Sequence, residues 1–186
     1  MRLMPRLFDG RTFSYTYYEG KVTNNTSHAV HPIAAVEVEF SLWDTSILEN
    51  DIAKVCFERN IPIVAYSPLG WGILAGAFNN KDDLPEGDFR RHQTKFQDDL
   101  MQHNIKLVDA VKAVAARKGV APVQIALAWI LTLSEREDMP TIIPIPGGTT
   151  VDKVTQNLNG VPRLSEREMV EIEGILNENK TVGKRY

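Results

Sequence analysis

Short strand-like runs alternating with helical stretches constrain this chain more than any other feature. Ile61-Pro62-Ile63-Val64-Ala65-Tyr66 is a short apolar run of the kind buried in parallel sheets, with its proline near the start, where a missing N–H costs least. Upstream, Ile33-Ala34-Ala35-Val36-Glu37-Val38-Glu39-Phe40 reads as a strand with Ala34, Val36, Val38 and Phe40 on one face and Glu37 and Glu39 on the other. Between them the spacing of Ile52, Val55, Cys56 and Arg59 predicts a helix over 48–59, stopped by a left-handed Asn60. Downstream, Leu107, Val108, Val111, Val114 and Ala115 form an amphipathic stripe ending at Gly119, and Pro122 opens a helix, Val123 to Leu133, that is apolar almost all round. Thr141-Ile142-Ile143-Pro144-Ile145 is a third strand, followed by a short helix through Asn157, and Ser165-x-x-Glu168 is a capping box opening the last helix.

The resulting order, β, α, β, loop, αα, β, α, α, implies an α/β fold with a parallel sheet, because each crossover returns the chain to the same end. Three strands cannot close a barrel, and the two outer ones would each present a row of unpaired backbone groups. Self-association through such edges is therefore an expectation. The segment from Ser67 to about Arg91 is Gly-rich and long for a connection, and reads as a lid. Residues 1–28, with Ser14-Tyr15-Thr16-Tyr17-Tyr18 and Asn24-Asn25-Thr26-Ser27, sustain neither period and form a divergent leader, either a strand pair or a disordered segment.

Composition sets the boundaries of function. The 186 residues are 43% hydrophobic and 24% charged, enough for one domain with a single core, and the formal charge of −3 leaves no basic stripe for nucleic acid. One cysteine, Cys56, excludes an internal disulfide and sits in an apolar helical pattern. His28, His31, His92 and His103 lack the spacing of a local metal site. No apolar h-region opens the chain and no window approaches the roughly 18 apolar residues of a membrane span, so the expected protein is soluble, cytoplasmic and free of membrane.

In α/β folds the chemistry lies at the strand C-termini, and three places qualify. Glu37 and Glu39 point the same way from one strand and cannot flank a substrate as a glycosidase pair does, which leaves a solvated or internally paired strand end as the alternative to acid/base work. Tyr66-Ser67-Pro68-Leu69-Gly70-Trp71-Gly72 ends a strand in an aromatic face that can stack on a flat ring, with glycines permitting close backbone approach. Ile145-Pro146-Gly147-Gly148-Thr149-Thr150 is a turn at a helix N-terminus, with Lys153 one turn on, suited to a phosphate or explained equally by the bend itself.

Taken together, Val36-Glu37-Val38-Glu39-Phe40-Ser41-Leu42, Ile63-Val64-Ala65-Tyr66-Ser67-Pro68-Leu69-Gly70 and Ile143-Pro144-Ile145-Pro146-Gly147-Gly148-Thr149-Thr150, ending in Gln156-Asn157-Leu158, resemble the aldo-keto reductases in order and spacing. Leu84-Pro85-Glu86-Gly87-Asp88-Phe89-Arg90 and Thr181-Val182-Gly183-Lys184-Arg185-Tyr186 resemble the fungal pyridoxal reductases of that family. The resemblance covers residues 29–186 and implies an incomplete TIM-type (β/α)8 barrel, its last three βα units plus the C-terminal helices.

It also implies an NADP(H) site. Tyr66 matches the aromatic that stacks on the nicotinamide, and Ser67 and Leu69 match the loop along the pyrophosphate. Glu37 stands where most members carry a glutamine that bonds the carboxamide, and a carboxylate cannot donate. Gly147, Gly148 and Thr149 match the turn at the adenosine phosphate, Lys153 the basic residue meeting the 2′-phosphate, and Gln156 and Asn157 the residues near the adenine. The implied reaction is hydride transfer to an aldehyde such as pyridoxal, with a tyrosine as general acid supported by a lysine, an aspartate and a histidine. Neither Phe8-Asp9-Gly10 nor the tyrosines at 15, 17 and 18 reproduce the family's spacing, so no catalytic residue is assigned and the isolated chain is expected to be inactive. The alternative is a non-catalytic fragment or a regulatory nucleotide-binding module. Trp43, Trp71 and Phe89 are expected either to line the substrate pocket or to pack.

Overall fold

The structure is a computed structural model, and it describes residues 6–8, 11–13, 28 and 31–183. Near the start, β1 (Arg6–Phe8) and β2 (Arg11–Phe13) pair antiparallel, so part of the leader is a strand pair. The tyrosines at 15, 17 and 18 and the polar run 24–27 lie outside the described residues.

The remaining strands, β3 (Val36–Glu39), β4 (Ile63–Tyr66) and β5 (Ile142–Pro144), form a parallel sheet in the order β3-β4-β5. Register runs from Val36↔Ile63 to Glu39↔Tyr66 on one side of β4 and from Ile63↔Ile142 to Ala65↔Pro144 on the other. All three strands are shorter than the apolar runs that predict them. The parallel topology follows from the helices inserted between them.

Two helices stand where the periodicity predicts one. α1 (Ser46–Glu49) and α2 (Ile52–Glu58) are separated at Asp51, which takes a left-handed φ of 63°. The Asn50 side chain accepts from the Ile52 N–H at 3.3 Å, so a local Asx contact competes with the helical ladder there. Asn60 is left-handed (φ 53°) as its position predicts. α3 (Asp98–Lys118) begins well before the apolar stripe, with Asp98 and Asp99 in its first turn, where acidic side chains favour the helix dipole, and stops at a left-handed Gly119. α4 (Pro122–Ser134) buries Val123, Ile125, Ala126, Ala128, Trp129 and Ile130, matching its all-round apolar pattern. α5 (Val151–Leu158) and α6 (Glu166–Glu178) complete the chain, and Ser165 and Glu168 close the capping box reciprocally.

The two faces of the sheet differ. Val36, Ile63, Ala65 and Ile142 are buried beneath the helices in a core that continues through Phe40 and Trp129, whose rings lie 5.2 Å apart. On the opposite face Glu39 is buried and Glu37 and Val64 are half-buried, while Ile143 and Ile145 are 47% and 45% exposed. Cys56 is fully buried and desolvation pushes its thiol up to about 11, which makes it a packing residue rather than a nucleophile. No single described helix is long and apolar enough to cross a membrane.

Candidate functional site

Strand pairing brings two of the three sequence-read places together. Tyr66 ends β4, and the Ile145 N–H donates to the Ala65 carbonyl at 3.0 Å, so the Pro146-Gly147-Gly148 turn leaves the sheet beside the Tyr66–Ser67 corner. Glu39 pairs in register with Tyr66, and the Phe40 N–H donates to the Tyr66 carbonyl at 3.3 Å, which sets the third place on the other flank of the same strand end. Glu37, Tyr66 and Ser67 are half-buried, whereas Glu39 is buried at 2% exposure. A solvated end thus does not describe Glu39.

At the corner the backbone reverses through residues of positive φ. Ser67 (φ 50°), Gly70 (φ 54°) and Trp71 (φ 60°) are all left-handed, and the Gly70 N–H donates to the Ser67 carbonyl at 2.9 Å. Such strain in non-glycine residues costs about 1–3 kcal/mol each and persists where the surroundings over-determine it, often at ligand sites. Gly70 is required for a second reason: a Cβ there would lie 2.7 Å from the Trp43 Cβ. Leu69 packs against the core and its carbonyl accepts from Gly72 and Leu74, so its role in the turn is that of an anchor.

The segment from Ser67 to Arg91 is not a lid. It is a series of 3-10 turns (Gly70–Ala75, Lys81–Asp83, Phe89–His92, with Thr94–Phe96 following) whose Leu74, Phe78 and Leu84 are buried. Arg91 donates to the Lys81 and Leu84 carbonyls at 3.0 and 2.6 Å, and Asn80 caps the Lys81–Asp83 turn. The burial of these apolar side chains makes it a fixed wall.

That wall borders an open cleft of about 740 Å³ lined by Tyr66, Ser67, Trp71, Asp88, Phe89 and Arg90. Trp71 and Phe89 lie 5.4 Å apart across it, and Phe89 is 61% exposed, so both are pocket residues; Trp43 is buried and stacks on Phe96 at 5.7 Å, which makes it packing. Sequence reading missed Asp88 and Arg90 as cleft residues. Their fork is bidentate, Arg90 Nε to Asp88 Oδ1 at 2.9 Å and Nη2 to Oδ2 at 2.6 Å, while Nη1 donates to the Trp71 carbonyl at 2.8 Å and the guanidinium sits 5.0 Å over the Phe78 ring. Hydrogen bonds from Arg90 hold the Asp88 carboxyl at about 2. The clue was Asp88-Phe89-Arg90, a charged pair bracketing an aromatic in a loop, but only the folded loop puts it beside Tyr66. A separate cleft of about 580 Å³, around Asp44, Lys95 and Arg136, shares no residue with this one.

On the other side of Tyr66, Gly147, Gly148 and Thr149 are exposed and lead into α5. Thr150 caps it, its hydroxyl accepting from the Lys153 N–H at 3.3 Å. Lys153 is exposed, its Nζ 3.5 Å from Thr149 Oγ1, and it enters none of the ion pairs among the described residues. An exposed ammonium beside a hydroxyl and the free N–H groups of a helix start is a donor set that suits phosphate. Gln156 is exposed, whereas Asn157 is 8% exposed and donates to the Gly147 carbonyl at 3.2 Å, bracing the turn. A Cβ on Gly148 would meet Val154 Cγ2 at 2.5 Å, so that glycine serves the packing of turn on helix.

The chain is similar to known proteins over most of its length. Residues 14–177 match the model of the Aldo/keto reductase family. An aldo-keto reductase of Schizosaccharomyces pombe, yakc [NADP(+)], is 37% identical over 161 residues, 85% of this chain and 46% of that protein. Among solved structures, the glycerol dehydrogenase of Gluconobacter oxydans superposes with a TM-score of 0.71 at 23% identity, over 87% of this chain and 47% of that one. An aldo/keto reductase from Klebsiella pneumoniae in complex with NADP and acetate gives 0.51 at 21% identity, over 83% and 42%. The chain therefore spans about half the length of the relatives it matches, and its three-stranded parallel sheet corresponds to part of their fold. With the family model covering all of the sheet and the cleft, this chain belongs to the aldo/keto reductase family.

Proposed function

We propose that residues 29–186 hold NADP(H) as the C-terminal part of a reductase domain, with 1–28 a divergent leader, and that the completed site reduces a small aldehyde of the pyridoxal type. The observation that carries this reading is the juxtaposition at the end of β4: an aromatic face at Tyr66 and a phosphate-suited turn at Gly147–Lys153 sit side by side on neighbouring strands. Tyr66 would take the nicotinamide, Ser67 and Leu69 the pyrophosphate, Gly147, Gly148 and Thr149 the adenosine phosphate, and Lys153 the 2′-phosphate, with Gln156 near the adenine and Asn157 bracing the turn. When bound, the nicotinamide supplies the hydride that reaches the carbonyl carbon. The proton for the carbonyl oxygen needs an acid that no residue of this chain is assigned, so the chain by itself binds without turning over. The S. pombe relative's NADP(+) designation supports the cofactor.

A fluorescence titration with NADPH and NADH tests this. Lys153→Ala is expected to weaken NADPH roughly 5- to 10-fold, about 1–1.5 kcal/mol for one exposed charge-assisted contact, and to leave NADH unchanged. Equal weakening of both would remove the 2′-phosphate assignment. Pyridoxal reduction by the isolated chain well above that of Lys153→Ala would overturn the non-catalytic part.

A further inference from the structure

We propose that the second cleft, between α1, α4, α6 and the C-terminal segment, binds an uncharged, largely apolar molecule that presents one carbonyl-type oxygen to Trp129. It shares no residue with the Tyr66 cleft, so the inference goes beyond the cofactor reading and does not depend on it.

Helix periodicity builds this cleft. Trp129 and Leu133 lie four apart on α4, with Arg136 in the turn that follows, so the three share one face. Glu173, Leu176 and Asn177 repeat at the same spacing on α6, and Leu48 and Glu49 of α1 add a further wall. Lys180, Thr181 and Gly183 border it, and that segment is fixed in place: Thr181 Oγ1 donates to the Trp43 carbonyl at 2.9 Å, and the Val182 N–H donates to Asn104 at 2.8 Å. The volume of about 580 Å³ falls within the range of about 300–1,000 Å³ that holds small organic ligands.

An orphaned donor defines the first property of the ligand. Trp129 is 1% exposed, and its Nε1–H is buried with no hydrogen-bond partner among the described residues. Native interiors seldom leave a donor in that state, because its hydration is lost with nothing in return. A lone water wants about two to four polar partners. The lining beside this indole is instead apolar: Leu133 is one turn on, and Leu42 lies two residues beyond the Phe40 whose ring packs on Trp129. An oxygen carried on an apolar frame satisfies both the N–H and those side chains.

Charge defines the second property. The charged lining residues are Asp44, Glu49, Glu173, Lys95, Lys180 and Arg136, three of each sign. They are already matched, Lys95 to Asp44 at 3.1 Å, Lys180 to Glu49 at 3.1 Å and Arg136 to Glu173 at 2.8 Å. Lys95 and Asp44 are only 12% and 9% exposed, so parting them would strand a mostly buried charge. An ionic ligand would have to break such a pair, whereas a neutral acceptor meets a group that still lacks a partner.

The test titrates the chain with Prodan, an uncharged naphthyl ketone with no N–H or O–H, reading its emission directly and the indole N–H signals by nitrogen–proton correlation spectroscopy. The expected result is one Prodan per chain, with blue-shifted emission and a downfield move of the Trp129 Nε1–H signal as the ketone accepts from it. Trp129→Phe keeps a ring and removes the donor, and should weaken binding about 3- to 10-fold. Leu176→Asn, at a half-buried wall position, should weaken it at least about 5-fold and keeps the test decisive if the Trp129 variant misfolds, while Leu131→Asn on the exposed side of α4 should not change it. Anilinonaphthalene sulfonate, a probe of similar aromatic size with a fixed negative charge, should bind at least about 10-fold more weakly. No Prodan binding, an unmoved Trp129 signal, displacement of Prodan by NADP+, or equal binding of the sulfonate overturns the proposal. The cofactor reading stands or falls separately, by the Lys153 titration.

Discussion

Gly70→Ala measures how rigidly the corner after β4 is built. Two costs add. Gly70 has φ 54°, and a left-handed alanine costs about 1–2 kcal/mol. The new Cβ would lie 2.7 Å from the Trp43 Cβ, 3.0 Å from its Cγ and 3.3 Å from Ile73 Cγ2, and these belong to side chains with 1% and 0% exposure that cannot swing away. Overpacking of that kind costs about 1–3 kcal/mol. Loss of unfolded-chain freedom returns about 0.4–1 kcal/mol, leaving a net destabilisation of about 1–4.5 kcal/mol, centred near 3. The control is Gly87→Ala, where φ is 83° but nothing lies within 4 Å of the new methyl, so only the backbone cost of about 1 kcal/mol remains. Urea unfolding followed by tryptophan fluorescence reads both, with Trp43 itself as a reporter at the contact. Equal unfolding free energies for the two variants would show that Trp43 yields, and the claim that the corner is held from behind would fall.

Two further outcomes follow from buried or paired polar groups. Asn104 is fully buried on α3 and its side chain joins three backbone groups, donating to the Lys95 and Val182 carbonyls at 3.1 and 2.9 Å and accepting from the Val182 N–H at 2.8 Å; Asn104→Ala should cost about 2–4 kcal/mol and speed hydrogen exchange at Val182, and an unchanged exchange rate would refute the tie. The Glu168 carboxyl is held at about 2 by its hydrogen bond from Lys118 and by the Ser165 cap, below an unfolded value of about 4.3, so its contribution is complete above that value and lost as pH falls through 2. The stability gap between the natural chain and Glu168→Gln should therefore be full at pH 6 and close between about pH 4 and 2, and a gap that persists to pH 2 would contradict the assignment.

Local chemistry made much of this fold legible. Pro122, Gly119, Asn60 and the Ser165–Glu168 box act within one turn of themselves, so their effect survives any tertiary context. The helix over 48–59 failed because Asp51 takes a left-handed conformation, with the Asn50 side chain bonded to the next backbone N–H, a choice that a hydrophobic period cannot register. The loop read as a lid failed for the opposite reason: Leu74, Phe78 and Leu84 show no period, and only the core they enter makes them anchors. Trp43 and Trp71 could not be told apart in sequence, and burial separates them.

The sequence by itself determined the order of elements, the parallel sheet and the family, because these depend on periodicity, punctuation and short motifs carried by neighbouring residues. It also supplied Tyr66, Gly147 and Lys153 as separate points along the chain. That these points share one end of one sheet was decided by the β4–β5 register, a pairing between residues nearly eighty positions apart. The tertiary structure likewise placed the Asp88–Arg90 fork beside Tyr66, buried Glu39, and left Ile143 and Ile145 nearly half exposed on the same face of the sheet, since each depends on which distant side chains arrive to exclude water.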